Sequence, residues 1–381
     1  MKVVSFEPVG SSNVKKPSVK VFPTLFHEAL PQSLKKLAYK FNVQAMVSSC
    51  FLTLISECDI VHIIPPVPTV LYSAILRSLY RFKLGGGNPK VLAHVFHPFH
   101  VMMEDFTDGG CKTFWRQNLW LLKHVAPDYV LCINKYLQKF VTQFISDEIV
   151  QYVPYPVDID VFKPTEDKNA ARKKLSLPTD KFLIGYLGQI YRKRGIFTLL
   201  DAFNMVAKSH QNTSLVIATY GLNPEKPHVR FFFDYVKHIE ANKQVIVLNE
   251  PLERVERFYQ AMDLMVLPFT QPYYIMDPPL VLMEALASGI PLVTTPLGAI
   301  RELTYDKVNA LHVPPENARA LSEAIISLAF DPEFCSRLGE HARKTAIKYS
   351  FEAIGAQLAE TYEGILSARP SLRHSKIQEK P

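Results

Sequence analysis

The chain has 381 residues, 48% hydrophobic and 21% charged, with a net charge of +7 at neutral pH; this excludes wholesale disorder and leaves room for two domains, each with its own core. The positive charge is modest and lacks clustered Lys/Arg with interleaved aromatics, so nucleic acid is not an expected partner, whereas a diphosphate or lipid headgroup is a suitable one. Five cysteines, Cys50, Cys58, Cys111, Cys132 and Cys335, are odd in number, widely spread and without zinc-type spacing, which predicts reduced thiols and no metal site.

The first residues show no secretory signal pattern, and the longest largely apolar run, Val43 to Ile55, is shorter than the about 20 residues a membrane span needs. The expected location is the cytoplasm, with the inner membrane surface as a second place of action. Lys2 to Val9 reads as a buried strand, Gly10 to Asn13 as a polar turn, Val19 to Pro23 as a short strand and Leu30 to Phe41 as a helix. Ile60 to Ile64, a helix over Val67 to Arg81 and a strand over Lys90 to Phe96 follow. Such alternation predicts a parallel sheet with crossover helices.

The loop after the Lys90 strand carries His97, at a strand's carboxyl end, where ligands collect in open α/β sheets. His94, His97 and His100 are separated by odd steps that alternate faces along a strand, which argues against a shared metal. Phe114 to His124, with Trp115 and Trp120 beside Arg116 and Lys123, is an amphipathic helix best read as core-packed, with membrane-surface contact as the alternative. Tyr129 to Ile133, a helix over Tyr136 to Ile145 and a strand over Ile149 to Pro154 complete a first domain, residues 1–160.

Asp158 and Asp160 form a D-x-D, a spacing that can hold a divalent metal. Two Pro-bearing turns and the charged stretch Glu166 to Lys174 make a linker with local Asp turn bonds the preferred reading. A second domain, residues 161–349, opens with a strand over Lys181 to Leu187, the loop Gly188 to Gly195 and a helix over Ile196 to Lys208. The loop is neither G-x-G-x-x-G nor Walker A, so dinucleotide hydride transfer and P-loop phosphoryl transfer both lack their fingerprint. Its Arg192, Lys193 and Arg194 stand between a strand and a helix N-terminus, a position suited to gripping a diphosphate.

Strands over Ser214 to Ala218, Val245 to Leu248 and Leu264 to Pro268 alternate with helices over Phe231 to Glu240 and Leu252 to Ala261. Asp277-Pro278-Pro279 then reads as a helix start, with Asp277 as the cap and proline at the first helical position. That helix carries one carboxylate, Glu284, and stops at Gly289 before a strand over Ile290 to Thr295. Its N-terminus suits a phosphate and its carboxylate suits sugar hydroxyls, a pairing that suggests a nucleotide-sugar site. Helices over Arg319 to Ala329 and Glu333 to Tyr349 follow, then a last amphipathic helix (residues 350–368) and a tail (369–381).

Tyr152 to Pro164 (YVPYPVDIDVFKP), Gly185 to Phe203 (GYLGQIYRKRGIFTLLDAF), Pro278 to Leu303 (PPLVLMEALASGIPLVTTPLGAIREL), Asn309 to Ile325 and the Y-S-F-E at Tyr349 together resemble the retaining GT-B glycosyltransferases of family 4. The resemblance spans roughly Lys90 to Leu366 and is strongest over the second half. It implies an α/β fold of GT-B type, two facing Rossmann-like domains with a C-terminal helix returning to the first. By the same resemblance Glu284 binds the donor ribose, Gly188 and Arg194 the diphosphate, and His97 the sugar or its phosphate. Gln189, Arg192, Lys193, Asp277 and Leu280 complete the donor site, and His97, Arg194 and Glu284 carry the reaction. No metal and no cofactor is implied; the donor is a nucleotide-diphosphate sugar, UDP- or GDP-linked, and the acceptor a saccharide or a lipid-linked one.

Two departures stand out. Gln189 occupies a position where the family often has Arg. Met276 falls where an E-x7-E pattern places its first Glu, and a thioether cannot accept the hydroxyl bonds a carboxylate accepts. Pro278 and Pro279 also remove two N–H donors. These features leave a second reading open, a catalytically degenerate GT-B protein that binds a sugar nucleotide or a partner without turnover.

Overall fold

The computed structural model describes residues 3–5, 19–21, 59–63, 89–95, 127–165, 167–271 and 278–367. The Gly10 to Asn13 turn, the helices expected over Leu30 to Phe41, Val67 to Arg81 and Phe114 to His124, and His97, Trp115, Trp120, Met276 and Asp277 lie outside them. The chain divides into two compact units, residues 1–132, 137–153 and 355–381 forming the first and 133–136 with 154–354 the second.

The first unit holds a parallel sheet of β1 (Val3–Ser5), β2 (Val19–Val21), β3 (Ile60–Ile63), β4 (Lys90–Val95), β5 (Tyr129–Cys132) and β6 (Val150–Tyr152), in the order β2-β1-β3-β4-β5-β6. Helix α1 (Lys135–Val141) lies between β5 and β6 in the chain. Ile60, Val61, Val91, Leu92 and Ala93 are inaccessible, as strands covered on both faces must be, and this is why they read as unbroken apolar runs. The exceptions are His62 and His94, buried and stacked with ring centroids 5.2 Å apart. His94 Nε2 is 3.2 Å from the Val153 carbonyl, and His62 Nδ1 is 2.6 Å from the Tyr362 hydroxyl. Tyr362 belongs to the last helix, α10 (Phe351–Ser367), whose Gln357 side chain donates to the Tyr152 carbonyl at 2.7 Å. Those two bonds tie the last helix to the first unit.

In the second unit a parallel sheet of β7 (Phe182–Leu187), β8 (Thr213–Ala218), β9 (Val245–Leu248), β10 (Leu264–Leu267), β11 (Leu292–Thr294) and β12 (Leu311–His312) runs in the order β12-β11-β10-β7-β8-β9. Helices α2 (Lys168–Lys174), α3 (Ile196–Ser209), α4 (Pro227–His238), α5 (Glu256–Ala261), α6 (Leu280–Ala287), α7 (Ile300–Leu303), α8 (Ala318–Ala329) and α9 (Pro332–Ile347) cover it. Alternate strand residues enter two separate cores. Leu183, Met265, Leu267 and Leu292 join residues of α5, α6 and α9 on one face, while Ile184, Val266 and Val293 join residues of α3, α4 and α8 on the other. Asn317 and Asp331 cap α8 and α9 by accepting from the amides of Ala320 and Phe334.

Within the charged stretch that follows the expected linker, residues 168–174 form a helix that sequence reading did not separately predict. Asp167 accepts from the Ala170 amide at 2.8 Å and starts α2, and Arg172, 4% exposed, points inward. Arg172 Nη2 meets Asp263 Oδ2 at 2.5 Å, and its remaining donors reach the carbonyls of Ala261, Thr179 and Lys181. Asp263 also accepts from Lys168 Nζ at 2.6 Å and the Leu183 amide at 2.7 Å. A sequence pattern in which charge marks the wet face misreads a helix whose anchor is a buried ion pair. Asp158 Oδ1 accepts from the amides of Asp160 and Val161, a local turn.

Arg172→Ala removes one of the two cations on Asp263 and the donor to the carbonyls of Ala261, Thr179 and Lys181, and should cost about 1–3 kcal/mol of stability, read as a lowered midpoint in urea denaturation. Burial pulls the His94 imidazole down to about 4, against a smaller upward pull from the Val153 carbonyl, and lowers His62 through burial and the neighbouring His94. The folded chain therefore binds fewer protons than the unfolded one below the ordinary imidazole range, so stability should fall as pH drops from about 6.5. Denaturation curves at neutral and mildly acid pH should separate in the wild type and draw together in His94→Gln.

Candidate functional site

The order β12-β11-β10-β7-β8-β9 means that the chain moves from β7 outward through β8 and β9, then returns to the other side of β7 as β10, β11 and β12. Connections leave in opposite directions at β7 and β10, and the gap between their carboxyl ends is where an open α/β sheet receives its ligand. Both sequence-predicted donor segments start there: the Gly188 loop after β7, and the chain leading from β10 to α6.

The Gly188 loop is fastened to the end of β10. Gly195 has φ +75°, and a Cβ on it would stand 1.7 Å from the Pro268 carbonyl oxygen, so no other residue fits. The Lys193 carbonyl accepts from the Thr270 amide at 3.1 Å and its hydroxyl at 3.2 Å. Thr295 donates to the Phe269 carbonyl at 2.7 Å, bringing β11 into the same seam. On the β7 side the Tyr186 hydroxyl, at 1% residue exposure, donates to the Gln189 carbonyl at 2.7 Å.

The three cations fall on one turn of 3-10 helix, Arg192–Arg194, and they are not equivalent. Arg194 Nη1 is 3.1 Å from the point a Cβ on Gly188 would occupy. Arg194 Nε is buried and has no hydrogen-bond partner among the described residues. Arg192 lies over the Phe197 ring of α3, 5.7 Å from its centroid. Gln189 is exposed.

Helix α6 begins later than the Asp277-Pro278-Pro279 pattern predicts. Its N-cap is Pro279, extended at ψ 136°, with no side-chain capping bond, and Leu280 is the first helical residue. A residue before proline is kept out of the helical region, so Pro278 cannot start the helix; the Pro279 carbonyl instead accepts from the Leu282 amide at 3.0 Å. Leu280 is 44% exposed. Gly289, at φ +65°, closes the helix as its sequence position predicts.

Glu284 sits in the second turn of α6, half-buried. Its Oε2 accepts from the Tyr259 hydroxyl of α5 at 2.5 Å, and Oε1 has no partner among the described residues. Burial pulls the Glu284 carboxyl above its ordinary range, and the Tyr259 bond opposes that pull. Burial, and then the Glu284 charge, push the Tyr259 hydroxyl well up. Sequence reading missed Tyr259, Tyr186 and Thr270. The available signal for Tyr259 was an aromatic on the inward side of a helix whose hydroxyl needs a buried partner.

Among the described residues no group of three or more His, Cys, Asp or Glu could hold a metal ion, and no helix is long and apolar enough to cross a membrane. Residues 167–345 match the family model described as glycosyl transferases group 1. A D-inositol 3-phosphate glycosyltransferase of Corynebacterium urealyticum is 25% identical over 215 residues, 55% of this chain and 49% of the relative. A lipopolysaccharide core biosynthesis mannosyltransferase, LpsB, of Rhizobium meliloti is 22% identical over 213 residues, 55% of this chain and 59% of the relative. The chain thus spans about half the length of the curated relatives it matches. The structure of Anabaena HepE in complex with UDP-glucose superimposes with a TM-score of 0.73 at 17% identity, covering 96% of this chain and all of that one. The fold is that of the GT-B glycosyltransferases, α/β with two parallel sheets.

Gly195→Ala places a methyl group against the Pro268 carbonyl in a left-handed backbone. It should cost about 1–3 kcal/mol from the backbone strain alone, read as a lower melting temperature.

Proposed function

We propose that the chain is a glycosyltransferase that moves a sugar from a nucleotide-diphosphate donor to a saccharide or lipid-linked acceptor. The donor would bind residues 161–349 and the acceptor residues 1–160. The observation that carries this reading is that the segments leaving the carboxyl ends of neighbouring strands β7 and β10 carry a cation, Arg194, whose buried Nε has no partner among the described residues, and a carboxylate, Glu284, with one oxygen unbonded among them. Arg194 beside Gly188 suits a diphosphate, and Glu284 suits ribose hydroxyls. The family match over residues 167–345 covers both.

In this reading the bond between the anomeric carbon and the diphosphate oxygen breaks as the bond to an acceptor hydroxyl oxygen forms on the same face, which retains configuration. The acceptor's proton passes to the departing phosphate oxygen. Arg194, helped by Arg192 or Lys193, stabilises the negative charge that builds on the nucleotide diphosphate, the task a metal performs in other transferases, so the reaction is metal-independent. His97 would contact the sugar or its phosphate. A UDP-sugar is the first donor to test, because the HepE structure holds UDP-glucose. The protein would act in the cytoplasm or at the inner membrane surface. Gln189 and Met276 support a second reading, a GT-B protein that binds a sugar nucleotide without turnover.

A panel of UDP-, GDP- and ADP-sugars should include one that raises the melting temperature and is hydrolysed or transferred. Glu284→Ala and Arg194→Ala should each weaken its binding about 10- to 100-fold by calorimetry, the loss expected for a hydrogen bond to a charged group. A folded protein that binds none of the panel rejects the transferase and leaves of the second reading only its partner-binding form, and tight binding without hydrolysis or transfer selects its nucleotide-binding form.

A further inference from the structure

One polar contact of the second unit has no part in the reading above. Tyr259 lies on α5, is 1% exposed and is boxed by aromatic edges, Phe162 at 5.8 Å and Phe258 at 6.1 Å between ring centroids. Its hydroxyl reaches one acceptor among the described residues, Glu284 Oε2, at 2.5 Å. A phenol so enclosed cannot follow a moving carboxylate, and a carboxylate so bonded cannot rotate freely. We infer that Tyr259 is a positioning residue: it fixes one oxygen of Glu284 and leaves Oε1 to accept from the vicinal hydroxyls of a nucleoside. This rests on the proposed role of Glu284 as a ribose ligand.

The same bond also favours the charged form of Glu284. Tyr259 faces it from α5. From α9, Arg343 approaches the end of α6, but its guanidinium donates to the carbonyls of Ala287, Phe162 and Ile159. Asp277 precedes α6 outside the described residues. Burial of Glu284 raises its carboxyl, and Tyr259 supplies the one opposing interaction resolved for it. A protonated Glu284 would present a hydroxyl in place of a lone pair, and the ribose would lose an acceptor. The sign follows: without the phenol the carboxyl titrates higher, so nucleotide affinity is lost from the acid side first and is recovered as pH rises.

The test measures binding of UDP and GDP by calorimetry to the full chain between about pH 5.5 and 8.5, a range above the ordinary carboxylate pKa. In the wild type affinity should be nearly constant across it. Tyr259→Phe, which keeps the ring and its packing, should bind about 10-fold more weakly at the acid end and approach the wild type at the alkaline end. Glu284→Gln should bind weakly at every pH, and adding Tyr259→Phe to it should change nothing further, because an amide does not titrate. Equal, pH-independent affinities for wild type and Tyr259→Phe, with Glu284→Gln still impaired, overturn the positioning role and leave the donor site standing. A uniform loss in Tyr259→Phe that persists when it is combined with Glu284→Gln marks a packing effect and also overturns it. Failure of the wild type to bind either nucleotide, or an unimpaired Glu284→Gln, removes the ribose role of Glu284 and this inference with it.

Discussion

Gly195 passes so close to Pro268 that the carbonyl of one occupies the space in which the other would carry a side chain. That contact sets the path of everything between β7 and α3. With the loop pinned at its far end, and its carbonyl at Lys193 held by Thr270, the intervening residues close into a 3-10 turn, and the turn aims Arg194 back at Gly188. The glycine at the near end then has a second reason to lack a side chain, because the guanidinium occupies that space. Gly188 and Gly195 are thus coupled through one arginine. Among the described residues this arrangement leaves Arg194 Nε without a partner, while the loop is held through its backbone at Lys193 and Gln189.

The helix that follows β10 brings the opposite charge. A carboxylate brought into a half-buried position loses hydration, and burial pulls its titration upward. The Tyr259 hydroxyl offsets this by a short bond from within the core, so the cost of enclosing Glu284 is met by a group that no ligand needs to supply. A nucleotide presents both demands together, anionic oxygens at its phosphates and donor hydroxyls at its ribose. In the proposed reading, neighbouring strands β7 and β10 meet both demands because the strand order reverses between them. A site of this kind requires no residue contact across a long loop; it follows from strand order.

Most of the second unit was legible in the sequence for a physical reason. Strands buried on both faces must be apolar at every position, so FLIGYL, LMVL and the short LVT stand out regardless of periodicity, and helices between them announce their ends through Asn317, Asp331 and Gly289. What escaped were features whose cause lies far away in the chain. Charge in α2 reads as solvent-facing until Asp263, 91 positions later, is known to meet Arg172. Tyr259 and Glu284 are 25 positions apart, Lys193 and Thr270 are 77 apart, and nothing local marks either pair. The three cations of the loop illustrate the same limit on a smaller scale: composition makes them equivalent, and only the turn separates Arg194 at Gly188 from Arg192 on Phe197.

The late start of α6 shifts the balance between the two sources of positive charge. A helix N-terminus attracts anions through unbonded amides and through a dipole felt only within the first turn. Here the two residues ahead of the helix are prolines without N–H groups, the first helical side chain is an exposed leucine, and the helix is eight residues long. Its own Glu284 lies one turn away with a negative charge. The pole that strengthens many phosphate sites is therefore weak at α6, and in the proposed reading a diphosphate depends on the Arg194 guanidinium instead. Arg194 is suited to that burden: it is partly withdrawn from water, where a charge is less screened, and its planar fork can meet two phosphate oxygens together.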